Sequence, residues 1–379
     1  MVHALNSPCC KQEMNLITHV VWTDEVSPDD SSEVKEGILG CTACNREFPI
    51  IDGIPRLCLD LFPFEKDILN RSKVKPLQAQ IAKPQIKDVY LKIEELVREK
   101  IKSDSKSHYS RKRYDAQLAF RVKECEYQEK YVKTLNAFHD RRISTLLDIG
   151  GGQGGLIYCC NRMLKPTTSV LLDYDLSWVE VAKIRNPSIE VVRADAANIP
   201  FKSHYFDLTI SQATLEHIPD YKKAITEMCR VTKQTLFLCW NPNKYSLYDF
   251  GHVDAPVTIF PKSVAKYLAF AWHKIRRTGR SMDWIEEELK KTFYISTSTV
   301  EKIMRRYGKT HNVFSNFVIN SLEDGEKGRF VSQKKLLSKY KFLSRFFLDA
   351  LAFCRIEPQC YYVLKKSIPE APEVISKKY

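Results

Sequence analysis

The amino-acid sequence predicts an α/β fold organised on a parallel sheet, and three observations predict it. Leu146-Leu147-Asp148-Ile149 is an apolar run that breaks into five glycines between Gly150 and Gly155, as a buried strand does where it turns into a helix beneath a loop stripped of side chains. Further apolar runs follow at Ser169–Leu172 and Val191–Val192, each leading into an acid, and at Tyr205–Ser211. Ahead of them, Ile86, Val89, Ile93, Leu96, Val97 and Ile101 recur at helical spacing, the single apolar face of an amphipathic helix.

Residues 1–62 read as a small first unit. They contain Ser7-Pro8-Cys9-Cys10, then the CxxC knuckle Cys41-Thr42-Ala43-Cys44 and Phe48-Pro49-Ile50-Ile51-Asp52-Gly53-Ile54-Pro55. Residues 63–140 read as a helical linker, with a second helical pattern from about Arg111 to His139 that holds Tyr114-Asp115. In the glycine loop, Gly150, Gly152 and Gly155 satisfy GxGxxG, which leaves a dinucleotide open alongside other nucleotide-like cofactors. The next strand ends in Asp173-Tyr174-Asp175-Leu176-Ser177, placing a carboxylate where it can accept both hydroxyls of a ribose. Asp195 follows the third strand, and Tyr205–Ser211 forms the fourth.

After the fifth strand, Thr235–Trp240, the chain enters the polar and aromatic stretch Asn241–His252. Loops at the carboxyl ends of parallel strands form the ligand crevice, so Tyr248 and His252 are substrate-site candidates. A helical insertion spans about 260–295, read as partly a lid, and its Tyr267, Phe270 and Trp272 read as core-facing. Thr299–Tyr307 reads as a helix, His311–Asn320 as the sixth strand, Phe342–Phe353 as a helix and Gln359–Lys366 as the closing strand. Residues 369–379 read as a tail.

In its order and spacing, the segment from about Leu146 to Asn241 resembles the class I S-adenosylmethionine-dependent methyltransferases. The subgroup it matches has the motifs D-h-G-x-G-x-G, D-x-S, D-A-x-x-x-P-F, F-D-h and L-E-H-I, where h is apolar. The resemblance implies a seven-stranded Rossmann-like methyltransferase sheet with helices on both faces, over residues 141–368. Its last strand returns as an antiparallel partner. It further implies that Gly150, Gly152 and Gly154 line the methionine and ribose of the cofactor, that Asp175, followed by Leu176, holds the ribose, and that Asp195 and Ala196 face the adenine. Asp148 and Ser211 complete the cofactor-binding set. His217, in the L-E-H-I turn, and His252 are candidates for a general base, because histidine titrates near neutrality, with Tyr248 as a third catalytic candidate. His217 also reads as a structural partner within its own turn.

The amino-terminal knuckle and its F-P-I-x-D-G-I-P sequence resemble the small zinc ribbons found fused to, or partnered with, methyltransferases. There, two knuckles supply four thiolates to one tetrahedral zinc. This chain departs from the pattern at Ser7, where the family has the first cysteine, so the metal candidates are Cys9, Cys10, Cys41 and Cys44, with His3 as a further donor. A site that has lost its metal and a disulfide are the alternatives.

With 379 residues, 44% hydrophobic and 28% charged, the chain is long enough for a full core with appendages. No apolar run approaches the ~18 residues of a membrane span. The first residues carry no signal-peptide pattern, and twelve cysteines without one point to reduced thiols and a cytoplasmic location. The net charge of +13 resides in the flanks, residues 61–145 and 261–348, while the glycine-loop segment is near neutral. Such a field suits an anionic substrate, an acidic partner, a membrane surface or RNA; a solvated Lys-rich helix surface accounts for it equally. The sequence therefore points to methyl transfer onto a small-molecule or lipid-like acceptor. RNA is the alternative partner, not favoured because no RNA-binding module is recognisable. A non-catalytic scaffold is a third reading.

Overall fold

Leu39, Phe48 and Ile50 give the amino-terminal strands one buried face. β1 (Asn15–Trp22), β2 (Glu33–Cys41), β3 (Arg46–Ile51) and β4 (Ile54–Pro55) pair in that order as an antiparallel sheet. The computed structural model describes residues 4–22, 33–58, 124–138, 142–323 and 341–366, apart from positions 42, 45, 52, 176–177, 180–181, 184–185, 187, 247 and 250. The Ile86–Ile101 helix, Tyr114-Asp115, His3, Leu176 and the tail all lie outside the described residues.

The described part of the linker is α1 (Glu124–Asn136). Beyond it, alternation along each strand splits the apolar residues between two cores. In β5 (Thr145–Ile149), Leu147 and Ile149 join one core and Leu146 the other; in β6 (Thr168–Asp173), Val170 and Leu172 oppose Leu171. Strands buried on both faces read as continuous apolar runs, which is the property of a parallel sheet covered by helices. β7 (Glu190–Arg193), β8 (Phe206–Gln212) and β9 (Thr232–Pro242) extend this sheet in parallel. The first crossover carries α2 (Gly155–Leu164), and α3 (Tyr221–Val231) joins β8 to β9. Asp207 in the F-D motif fastens the sheet's centre. Its carboxylate accepts the amides of Ser144 and Thr145 at 2.9 and 3.1 Å and the Gln234 side chain at 2.7 Å, and these bonds outweigh burial to hold its pKa low.

After β9 come α4 (Lys262–Ile275) and α5 (Met282–Lys291), which pack on a small core of their own that includes Val253, Ala265, Ala269, Ile285 and Leu289. α6 (Thr297–Met304) follows. The sixth strand differs from expectation. β10 covers only Lys309–Asn312, and Phe314–Glu323 is a helix, α7, whose first amide is capped by the Asn312 carbonyl oxygen of the side chain at 3.0 Å. The run supports either period. Packing decides it: Phe317 stacks on Tyr131 of α1 and on Tyr361 at centroid distances of 4.7 and 4.4 Å, contacts that a strand would have pointed elsewhere. α8 (Lys341–Phe353) precedes β11 (Gln359–Lys365), which inserts between β9 and β10, antiparallel to both. The order across the seven-stranded mixed sheet is β10-β11-β9-β8-β5-β6-β7. Among the described residues, no helix is long and apolar enough to cross a membrane.

The small sheet does not rely on a core of its own. Met14, Leu39, Phe48 and Leu57 belong to the same buried cluster as Leu147, Val170 and Val192, and backbone bonds join Asn6 to Pro200 and Leu57 to Arg193. Glu227 of α3 bridges the two parts, accepting Lys11 at 2.6 Å and Arg230 at 2.8 Å, while Arg230 caps the carbonyls of Ile199 and Phe201. Truncating Glu227 strands two cations on partly buried ground. Glu227→Ala is expected to lower unfolding free energy by about 3 kcal/mol, read from urea denaturation, with hydrogen exchange quickening around residues 4–14. A loss under about 0.5 kcal/mol would show the bridge to be solvent-screened.

Candidate functional site: a carboxylate-lined cavity and a histidine–glutamate cluster

The carboxyl ends of β5, β6, β7 and β8 open onto a cavity of about 980 Å³. Its floor is the glycine loop. Gly150 has φ of +67°, and a Cβ there would lie 2.1 Å from Thr214 Cγ2, so only glycine fits. Gly152 has φ of +53° and open space where a Cβ would project. Three of the loop's amides are already engaged: Gly150 N with the Leu172 carbonyl at 2.7 Å, Gly152 N with Asp173 Oδ2 at 2.9 Å and Gly154 N with the Gly151 carbonyl at 2.9 Å.

The cavity wall carries Asp148, Asp173, Asp175 and Asp195 and, among the described residues, no lysine or arginine. Asp173 also accepts the Asp175 amide at 2.9 Å through Oδ1. Burial pushes Asp173 up to about 6 against the pull of these amides. Asp148 is pushed up to about 8 by burial and then by the neighbouring Asp173 charge, and its Oδ2 has no hydrogen-bond partner among the described residues. Asp195 caps the turn at Ala196–Asn198, accepting Ala197 N at 2.8 Å and Asn198 Nδ2 at 2.9 Å. Ala196 lines the cavity beside it. Gly154 and Ser211 are not among the lining residues; Gly154 supplies the left-handed cap of α2, and Ser211 is buried.

Several lining residues were not singled out from the sequence: Gln128 and Tyr131 of α1, Trp178, Asn198, Thr214 and Trp240. Ala213 and Trp240 both have positive φ, 51° and 61°, non-glycine strain of the sort that gathers at functional sites. No local sequence pattern announces it. Thr214 could have been suspected from its place two residues before Glu216; its hydroxyl bonds the Gln212 carbonyl at 2.9 Å.

His217 lines the cavity, with Nδ1 3.2 Å from the Lys291 carbonyl. His252 stands behind it, the two rings edge to face at 5.4 Å. Burial pulls His252 down, but Asp249, 3.5 Å from its Nδ1, and Glu216, 3.8 Å from its Nε2, outweigh that and raise its pKa. Glu216 is fully buried and pushed up to about 7 by that burial. Tyr248 is not among the lining residues: its hydroxyl donates to Asp254 Oδ1 at 2.9 Å and accepts from Arg276 at 3.1 Å. A separate cluster lies in the small sheet, where Cys9 and Cys44 sulfurs are 3.1 Å apart, Cys10 and Cys41 3.5 Å, and Ser7 Oγ is 3.0 Å from Cys9. These separations far exceed the ~2.05 Å of a disulfide.

Residues 147–238 match the family model described as a methyltransferase domain. This segment is therefore similar to methyltransferase domains. The chain is 35% identical over 160 residues to the ubiquinone/menaquinone biosynthesis C-methyltransferase UbiE of Francisella tularensis subsp. novicida, covering 40% of this chain and 61% of that protein. It is 28% identical over 109 residues to the phthiotriol/phenolphthiotriol dimycocerosates methyltransferase of Mycobacterium tuberculosis, over 26% of this chain and 40% of that one. The chain thus spans under two thirds of the length of these relatives. Among solved structures, phosphoethanolamine N-methyltransferase 2 of Haemonchus contortus in complex with S-adenosyl-L-methionine aligns with TM-score 0.41 and 15% identity, over 69% of this chain and 59% of that one.

The raised Asp148 pKa has a measurable consequence in ligand-free protein. The folded state holds a proton that the unfolded chain releases near the ordinary aspartate value of about 4. Stability is therefore lost as pH rises from there to about 8. Asp148→Asn is expected to remove this slope, gaining on the parent by up to about 1.4 kcal/mol per pH unit. Urea midpoints at several pH values check it; a parent–variant difference that stays constant with pH refutes the buried-proton account.

Proposed function

We propose that the chain transfers a methyl group from S-adenosylmethionine to a small-molecule or lipid-like acceptor by in-line displacement. The observation that carries this reading is the cavity wall, which has four aspartates, no lysine or arginine among the described residues, and the amides of Gly150, Gly152 and Gly154 already bonded within the protein. A dinucleotide's pyrophosphate needs free amides and positive potential at that loop. A cationic sulfonium with an ammonium group and ribose hydroxyls needs acceptors and negative charge. When bound, the cofactor supplies an already activated methyl, so the protein's task is placement.

In this reading, Asp175 accepts the ribose hydroxyls and Asp195 with Ala196 faces the adenine. Asp173 offsets the cofactor's positive charge, joined by Asp148 once the bound cation drives off the proton that Asp148 holds in the ligand-free protein. Proton removal from an oxygen acceptor falls to the cluster of Glu216, His217 and His252, with His217 at the cavity. Tyr248 braces the loop that carries His252, through Asp254 and Arg276. The relatives named for quinone biosynthesis and for dimycocerosates support a hydrophobic acceptor.

Calorimetry should show binding of S-adenosylmethionine and its demethylated product and none of a nicotinamide dinucleotide. Asp175→Ala should weaken it by on the order of 2 kcal/mol. Radiolabelled methyl is expected in the lipid or small-molecule fraction of an extract. Label in RNA, bound with steep salt dependence, would transfer the assignment to RNA, and binding without any label would leave a scaffold.

We further propose that Cys9, Cys10, Cys41 and Cys44 hold one structural zinc, Cys9 standing in for the cysteine that Ser7 replaces. The Cys9–Cys44 and Cys10–Cys41 sulfurs, 3.1 and 3.5 Å apart, approach the ~3.8 Å edge of a tetrahedral zinc–thiolate site; Cys9, Cys10 and Cys44 converge within 4.8 Å of one another, and Cys41 joins them through Cys10. Elemental analysis should find about one zinc per chain, and Cys41→Ser or Cys44→Ser should release it and lower the melting temperature. Metal-free protein prepared without chelator would mark the site as lost.

A further inference from the structure

Between the cofactor cavity and the helical insertion, three metal-ligating side chains converge. Glu216 and His217 come from the turn after β8 and His252 from the loop after β9, and their donor atoms all lie within 4.8 Å of one another. We propose that Glu216, His217 and His252 form a binding site for a divalent transition-metal ion, open on its cavity side.

Glu216 provides the first reason. It is fully buried, and neither carboxylate oxygen has a hydrogen-bond partner among the described residues. The nearest cationic candidate, His252 Nε2, stands 3.8 Å away, beyond the 2.7–2.9 Å range of charge-assisted bonds (about that range in proteins). An ordinary ion pair would have closed this gap. The turn itself is clamped, with Phe293 N bonded to the Glu216 carbonyl and Asn241 Oδ1 accepting the Leu215 amide at 3.0 Å. The carboxylate is therefore held where it is by its backbone.

The imidazoles provide the second. His217 turns Nδ1 to the Lys291 carbonyl at 3.2 Å, and His252 Nδ1 faces Asp249 Oδ1 at 3.5 Å without a closed hydrogen bond among the described residues, a gap that a small ring rotation on metal binding would close. A metal-bound histidine characteristically gives its other ring nitrogen to a carbonyl or carboxylate, which fixes the tautomer and aims the ligating nitrogen. Asp249 is in turn anchored by the Gly251 and Val253 amides and by the Tyr294 hydroxyl at 2.8 Å. Both rings are thus prepared to offer Nε2 to a shared point with Glu216.

The spacing agrees. Bonds of ~2.0–2.2 Å at tetrahedral angles separate ligand atoms by about 3.4 Å, so the 3.8 Å between Glu216 and His252 needs only a small closure. Two imidazoles and one carboxylate select zinc, iron(II), cobalt or manganese over magnesium, which prefers an all-oxygen shell. His217 is the exposed member and lines the cavity, so the remaining coordination positions face the acceptor. Resting on the methyl-transfer reading, the ion's role is to bind an acceptor oxygen and lower its pKa. With the ion bound, the cluster serves the same removal of the acceptor's proton by a different route: the histidines hold the ion, and the ion's charge lets the acceptor release its proton to solvent.

Metal-free full-length protein titrated with Co²⁺ tests this. The parent should take up one cobalt with weak visible bands and no thiolate-to-cobalt charge transfer, separate from any cobalt at the cysteine cluster. Two shifted imidazole N–H signals should appear in its paramagnetic proton spectrum. Glu216→Gln and His252→Asn should each weaken this uptake about a hundredfold or more, while S-adenosylmethionine binding, measured by calorimetry, stays within a few fold and reports that the variants are folded. Uptake with thiolate character alone, absence of imidazole signals in the parent, or uptake indifferent to both substitutions overturns the site. Cobalt and cofactor binding are read separately, so loss of cofactor binding in the parent refutes the proposed function without touching the metal site.

Discussion

The cavity depends on one buried carboxylate. Asp173, at the end of β6, takes the Gly152 amide on one oxygen and the Asp175 amide on the other, tying the loop after β5 to the strand beside it. Without that tie, a five-glycine loop would carry the full entropy of its backbone. With it, the Gly152 amide is spent within the protein and the wall left for a ligand is acidic. Asp148, buried next to Asp173, answers by holding its proton, so the ligand-free protein stores two carboxyls at close quarters without any lysine or arginine in the wall. A cationic ligand relieves that repulsion.

The same economy governs the amino-terminal sheet. Some sixty residues cannot bury enough apolar surface to stand alone. Here Leu39, Phe48 and Leu57 complete a core whose other members come from β5, β6 and β7, and the Lys11–Glu227–Arg230 bridge ties its edge to α3. The sheet is thereby a cover for one face of the larger domain, whatever its thiols bind.

The insertion plays a comparable part at the other end. α4 and α5 close over their own small core, but α5 ends with the Lys291 carbonyl against His217, and the segment just after it places Phe293 N on the Glu216 carbonyl and Tyr294 on Asp249. The residues that fix the histidine–glutamate cluster are thus scattered over some eighty positions of chain, and each acts by hydrogen-bond geometry that no single segment contains.

By itself, the sequence determined what local chemistry dictates: the buried strands, because apolar runs ending in glycine or acid have few other folds open to them; the carboxylates at the strand ends; and the helices of the insertion. The tertiary structure decided the rest. It turned Phe314–Glu323 from an ambiguous apolar run into a helix, because Tyr131 and Tyr361 offered Phe317 a stacking site. It tied the Tyr248 hydroxyl to Asp254 and Arg276, set His252 behind His217, and brought in Gln128, Trp178 and Trp240, which carry no motif. Period and propensity act over a few residues along the chain. Which side chains share a cavity is set by long-range packing, and that is written only in the assembled fold.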